Sequence, residues 1–311
     1  LNTPSILAQE GKTTAAPPTA GLSALGAQKA LKKDLQGINK KADPQGYLSI
    51  GVQLGYAYLR AQTLDSALGL GWKLLHYGKM APLEQRVEVF QLLGNTYIAL
   101  YLSDSALYYY ELAHSEDAGL PAGKRMELLE KLSKLHLDNG SLSHAQDYCI
   151  AGIRLADLAT NNTYKALFNT RIGMIYEKET NIIKAKEYYT TAMNTYATLN
   201  DEKGLAMALA HLGNASKLMG EYALAAKHYN EAKSLYTKLR DNTGIACMLD
   251  GLGELEYLKG RYNEATALQH QALSIRAINR NYGELPQSYV NLANSYLKLK
   301  RYDDALELTR N

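Results

Sequence analysis

An apolar residue followed by a small one recurs along this chain every 39 or 40 residues: Leu54-Gly55, Leu93-Gly94, Leu132-Ser133, Ile172-Gly173, Leu212-Gly213, Leu252-Gly253 and Leu292-Ala293. Self-similarity at a fixed period marks a repeat architecture, in which each unit buries its apolar side against its neighbours. Other positions keep step with the small residue. Twelve residues on stands alanine in every unit: Ala67, Ala106, Ala145, Ala185, Ala225, Ala265 and Ala305. Three residues on, tyrosine occupies Tyr58, Tyr97, Tyr176 and Tyr296, with His136, Ser216 and Glu256 in the remaining units. Sixteen on, Tyr110, Tyr189 and Tyr229 fill a slot that Gly71, Cys149, Gln269 and Thr309 leave smaller. Small residues let two helices approach closely, and interleaved aromatics fill the volume between them.

Each unit therefore reads as a first helix carrying the glycine and a second carrying the alanine. Turns within units fall at Met219-Gly220-Glu221-Tyr222, Lys259-Gly260-Arg261-Tyr262 and Lys300-Arg301-Tyr302-Asp303, where glycine accepts the left-handed end of a helix cheaply. Between units, Asn200 to Gly204, Arg240 to Gly244 and Asn279 to Gly283 combine stop and start signals. No stretch alternates with the period of a strand, so the expected fold is all-α.

On these residues the chain resembles the tetratricopeptide repeat family. The family's Leu-Gly-x-x-Tyr, Ala-x-x-x-aromatic and closing Ala elements stand as Leu93-Gly94-Asn95-Thr96-Tyr97, Ala106-Leu107-Tyr108-Tyr109-Tyr110 and Ala113. The resemblance implies a right-handed superhelical solenoid of antiparallel helix pairs over residues 47–311, its seventh unit cut short. The period departs from the family's usual 34 residues towards that of HEAT and armadillo units, but the residue template matches tetratricopeptide units with lengthened helices. Longer units of this kind point to signalling members of the family.

Charge divides unevenly. The first 46 residues hold six of the 34 basic and three of the 31 acidic residues, which leaves 28 of each in the repeat region. A neutral array without a basic run offers no electrostatic case for nucleic acid. Lys29, Lys32, Lys33, Lys40 and Lys41 read as the solvated side of a capping helix within 23–46, with Leu31, Leu35 and Ile38 as its apolar side. Residues 1–22, with Pro4, Pro17 and Pro18, read as a disordered leader. Thr3 to Ala8 is compatible with the tail of a cleaved secretory signal, which favours an extracytoplasmic, periplasmic location over the cytoplasm. No apolar run is long enough to span a membrane, and no membrane contact is expected of this segment. Asn311 falls inside the expected last helix, so apolar surface at that end is open to self-association.

Chemistry leaves little trace. Gly11-Lys12-Thr13 resembles the end of a phosphate loop, yet Ile6 stands where glycine is needed. The seven histidines lack metal-ligand spacing, and no cofactor is expected. Cys149 and Cys247 lie more than two units apart, too far for a disulfide in an array whose units touch only neighbours. The segment is expected to be non-catalytic.

A groove is what such an array supplies. The residue after each small anchor forms one series along the first helices: Tyr56, Asn95, Lys134, Met174, Asn214, Glu254 and Asn294. The residue three before it forms another: Val52, Gln91, Glu130, Thr170, Ala210, Asp250 and Val290. Both should point away from the second helix. The resemblance implies that Asn95, Asn214 and Asn294 hold the backbone of an extended peptide or protein segment, with Gln91, Glu130, Lys134, Asp250 and Glu254 around it. The lysine with which chaperone-binding members grip a terminal carboxylate, three places before the anchor, is missing from all seven units. Two functional classes follow: the sensor or docking region of a bacterial signal-transduction protein of the sensor histidine kinase type, or a free-standing adaptor or peptide-responsive regulator.

Overall fold

A computed structural model of the chain describes residues 24–78, 81–279 and 285–308. The expected leader, residues 1–22, and the Asn279 to Gly283 turn beyond its first residue lie outside them. Among the described residues there are fifteen α-helices, one 3-10 turn and no strand. The chain divides into two compact units, Leu1–Leu155 and Ala156–Asn311, with the boundary inside a helix.

Helix α1 (Ala24–Gly37) packs Leu31, Leu35 and Ile38 against the first core cluster, and its lysines are exposed. The first helices of the repeat are α2 (Pro44–Arg60), α4 (Leu83–Ala99), α6 (Ala122–Asp138), α8 (Asn162–Lys178), α10 (Glu202–Leu218), α12 (Asn242–Leu258) and α14 (Leu285–Lys298). Each is followed by a second helix: α3 (Leu64–Gly78), α5 (Ser103–Ser115), α7 (Leu142–Leu158), α9 (Ile182–Thr198), α11 (Tyr222–Lys238), α13 (Tyr262–Ile278) and α15 (Tyr302–Leu308). Helix α2 begins at Pro44, slightly before the expected start at 47, because the Asp43 carboxylate accepts from the Gly46 N–H and Pro44 fits the first turn. Asn161, Asn181, Asp201 and Asp241 cap α8, α9, α10 and α12 in the same way.

The turn inside every unit places a left-handed residue seven positions after the anchor: Gln62, Tyr101, Gly140, Thr180, Gly220, Gly260 and Lys300. The geometry is universal, whereas glycine occupies it in three units only.

All seven ladder alanines are buried. The anchors are small because of what faces them. A methyl group at Gly94 would stand 2.7 Å from the Tyr110 ring, and one at Gly173 or Gly213 would stand 2.5 Å from Tyr189 or Tyr229. Ala215, Ala225, Ala232 and the Tyr229 ring are fully enclosed, so the close approach and the aromatic filler are one packing solution. A second fit of this kind was not legible from the template: Tyr196 abuts Gly204 and Tyr236 abuts Gly244, which joins each second helix to the first helix that follows.

Candidate binding face on the first helices

First helices touch one another as well as their own partners. In the first unit α2 meets α4; in the second, α8 meets α10, α10 meets α12 and α12 meets α14. Within either unit, a ligand lying along the first helices would meet more than one repeat.

In the first unit, Asn95 is half-buried on α4. Its Oδ1 accepts from the Tyr110 hydroxyl at 2.7 Å, and its Nδ2 donates to the Tyr56 hydroxyl at 3.2 Å. In the second unit Asn214 repeats the arrangement on α10, with Oδ1 accepting from the Tyr229 hydroxyl at 2.6 Å. Burial pushes the Tyr110 and Tyr229 hydroxyls well above the ordinary phenol value, so both stay protonated and donate. A tyrosine from the second helix thus fixes the amide so that its oxygen faces inward. Each NH₂ has two donors, and at least one remains for a ligand.

The sequence carried a signal for this pairing. Asparagine one after the anchor coincides with tyrosine sixteen after it at Asn95/Tyr110 and Asn214/Tyr229. Where methionine replaces the asparagine, at Met174, the corresponding Tyr189 hydroxyl turns to Glu177 Oε2 at 2.6 Å and its ring stacks on His211 at 4.8 Å. Burial pushes the His211 pKa down, partly offset by Glu177.

The other candidates divide by environment. Gln91, Glu130 and Lys134 are half-buried on α4 and α6, and the Glu130 carbonyl accepts from the Ser133 hydroxyl at 2.9 Å. Glu254 is exposed and pairs with Lys217 at 2.5 Å, a bridge from α12 to α10. Asp250 is held by the guanidinium of Arg276, which is only 5% exposed and also donates to Ser288 Oγ at 2.6 Å. Through that guanidinium α12, α13 and α14 are tied together, a role for Asp250 that the spacing did not reveal. Asn294 is exposed on α14, and its sixteenth-position counterpart Thr309 lies outside the described residues.

The second series does not form the unbroken row that helix geometry suggests. Val52 and Thr170 are buried, and the Thr170 hydroxyl donates back to the Ala166 carbonyl at 3.0 Å. Thr170 lies against Tyr196 of α9, its own second helix. Cys149 and Cys247 are free thiols. Among the described residues no cluster of His, Cys, Asp or Glu is arranged to hold a metal ion, and no helix is long and apolar enough to cross a membrane.

Comparison with known proteins agrees with this architecture. Residues 166–198 and 244–310 each match a family model described as tetratricopeptide repeat. Those two stretches carry tetratricopeptide repeats, and the described residues have a tetratricopeptide-like helical fold. No curated protein matches the sequence. Among solved structures, the apo form of RapI is similar at a TM-score of 0.71 and 15% identity, covering 85% of this chain and 95% of that one. A Rap protein complexed with Competence and Sporulation Factor is similar at a TM-score of 0.64 and 11% identity, covering 91% of this chain and 89% of that one. A signal transduction ATPase with a tetratricopeptide repeat sensor from Pyrococcus horikoshii matches at a TM-score of 0.63 and 13% identity, covering 93% of this chain but 43% of that one.

Proposed function

We propose that the first helices within each unit bind an extended peptide or protein segment, and that the array is the sensor or docking region of a signal-transduction protein. The observation that carries this reading is the tyrosine-locked amide at Asn95 and Asn214. An amide whose oxygen is already bonded presents its N–H to a backbone carbonyl without paying to reorient, which favours recognition of an extended main chain. Asn294 carries an exposed amide on α14 of the second unit. The likeness in fold to a Rap protein complexed with a factor, and to a protein with a repeat sensor, supports a receiving role.

Attachment to a sensor histidine kinase, with the array standing outside the cytoplasm, is the form of this proposal that the sequence favours. A free-standing, peptide-responsive regulator uses the same face. The test is a triple variant, Asn95→Asp, Asn214→Asp and Asn294→Asp, which keeps an acceptor for each tyrosine and removes the donors. Each lost hydrogen bond should weaken binding by about 0.5–1.5 kcal/mol. Peptides selected from a displayed random library on the parent chain should lose affinity for the variant, while its circular dichroism and melting are preserved. Equal affinity for parent and variant would sink the assignment.

A further inference from the structure

The second unit holds one first-helix carboxylate that no cation answers. Among the described residues of α8, α10, α12 and α14, Glu202 pairs with Lys238, Asp250 with Arg276, Glu254 with Lys217, and Glu256 with Lys259 and Arg261. Glu177, in the last turn of α8, is the remaining acid, and it makes no ion pair among the described residues. Lys178, the next residue, is exposed and forms no bridge to it. The hydrogen bond that Glu177 accepts comes from the Tyr189 hydroxyl, to Oε2 at 2.6 Å, which leaves Oε1 open.

Glu177 is half-buried. A charge drawn partly out of water is costly unless an opposite charge meets it, and a phenol hydroxyl supplies a hydrogen bond but no charge. The base that faces it is His211, whose ring stacks on Tyr189 at 4.8 Å. Burial holds that imidazole below the ordinary histidine value, so it stays neutral in neutral solution and leaves the carboxylate uncompensated.

This carboxylate stands close to the amide of Asn214. Its field reaches the Tyr229 hydroxyl, which donates to Asn214 Oδ1 at 2.6 Å, and α8 touches α10. Glu254 acts on the same hydroxyl from α12, but Lys217 at 2.5 Å offsets its charge. What remains beside the Asn214 donor is a single negative charge. An acidic side chain brought there is repelled, and an apolar one covers the carboxylate further without a counter-charge. An ammonium or guanidinium brings both charge and donors. Half-buried Met174, one turn before Glu177, offers apolar surface to the methylene stem of such a side chain.

We infer that Glu177 is the subsite for a basic side chain, lysine or arginine, of the segment whose main chain Asn214 holds. This rests on the reading of the first helices as a peptide-binding face and adds a charge requirement to it.

Peptides selected from a displayed random library on the full chain should share a lysine or arginine. Glu177→Gln keeps an acceptor for Tyr189 and should weaken these peptides about tenfold with unchanged melting. Exchanging the shared basic residue for glutamine should weaken binding to the parent about tenfold too, and should cost the Glu177→Gln variant nothing further. Added sodium chloride should weaken the parent complex more than the variant complex. Selected peptides with no shared base, or losses from the two exchanges that simply add, overturn the subsite. Asn214→Ala separates that failure from failure of the face itself. If Asn214→Ala weakens the peptides and Glu177→Gln does not, the face stands and the subsite falls. If neither variant weakens them, or if the parent retains no peptide, both fall.

Discussion

The pair α2/α3 in the first unit and the pair α10/α11 in the second follow one template but fill it differently. Gly213 faces Tyr229 from its own second helix, whereas Gly55 faces Leu92, which comes from α4 of the following pair. At the slot sixteen residues on, the α2/α3 pair has Gly71, which in turn receives Leu93 at 2.6 Å. One pair is completed from within and the other by its neighbour. The comparison teaches that a repeat template keeps the volume filled rather than its source, and that a filler from within brings its hydroxyl to the asparagine oxygen.

The largest effect should come from removing the internal filler. Tyr229→Ala deletes a fully buried ring and releases Asn214, so a loss of about 3–5 kcal/mol is expected in a denaturant titration. Hydrogen exchange should show the damage in α10, α11 and the adjoining α12, whose Gly251 also rests on that ring at 2.9 Å. Uniform loss of protection across Ala156–Asn311 would mean that the pairs there are not the units of stability.

Alanine at the two anchors sharpens the contrast. In a helix interior Gly→Ala ordinarily stabilises by about 0.5–1 kcal/mol. At Gly213 the new methyl group meets an aromatic ring pinned at its hydroxyl, so Gly213→Ala should instead destabilise by about 1–3 kcal/mol. At Gly55 it meets both methyl groups of Leu92, at 2.4 and 2.9 Å, on an aliphatic side chain that no hydrogen bond pins. Gly55→Ala should therefore cost less than Gly213→Ala, and equal losses at both sites would erase the distinction.

A pH titration separates the second unit's aromatic stack from the rest. Burial holds His211 below the ordinary histidine value, and it does the same to His228. A base depressed in the folded state contributes stability that is whole above the unfolded value of about 6.5 and lost as pH falls from there through the folded value. His211→Gln should flatten part of this acid slope in the denaturant midpoint between neutral pH and pH 5. An unaltered slope would assign the acid sensitivity to other groups.

The helix pairs, the alanine ladder and the caps at Asp201 and Asp241 were legible because each depends on residues close in sequence: periodic small residues and an aspartate just before a helix. The candidate face was legible only in part. Helix geometry locates Asn95 and Asn214 on the first helices, but their orientation depends on Tyr110 and Tyr229, fifteen residues away on another helix. The Arg276 to Asp250 pair was less visible still, because its partners are 26 residues apart and neither occupies a template position that demands charge. The burial of Val52 and Thr170 depends on packing between helices, which single-helix periodicity does not encode.

The smallest effect lies in the turns, where the template fixes a conformation and lets the residue vary. Thr180, Gly220 and Gly260 occupy the same place in three successive pairs, with φ of 61°, 77° and 77°. A β-branched residue is strained in the left-handed region because its Cβ substituents crowd the adjoining carbonyl, and glycine escapes that clash at some cost in unfolded-chain entropy. The Thr180 side chain is exposed, so its removal breaks no packing. Thr180→Gly should raise stability by about 0.5–1 kcal/mol, read as a higher denaturant midpoint with an unchanged slope. The reverse change at the matching position, Gly220→Thr, should lower it by a similar amount. If both substitutions prove neutral, the turn imposes no left-handed requirement, and the recurrence of that conformation in all seven pairs owes nothing to glycine.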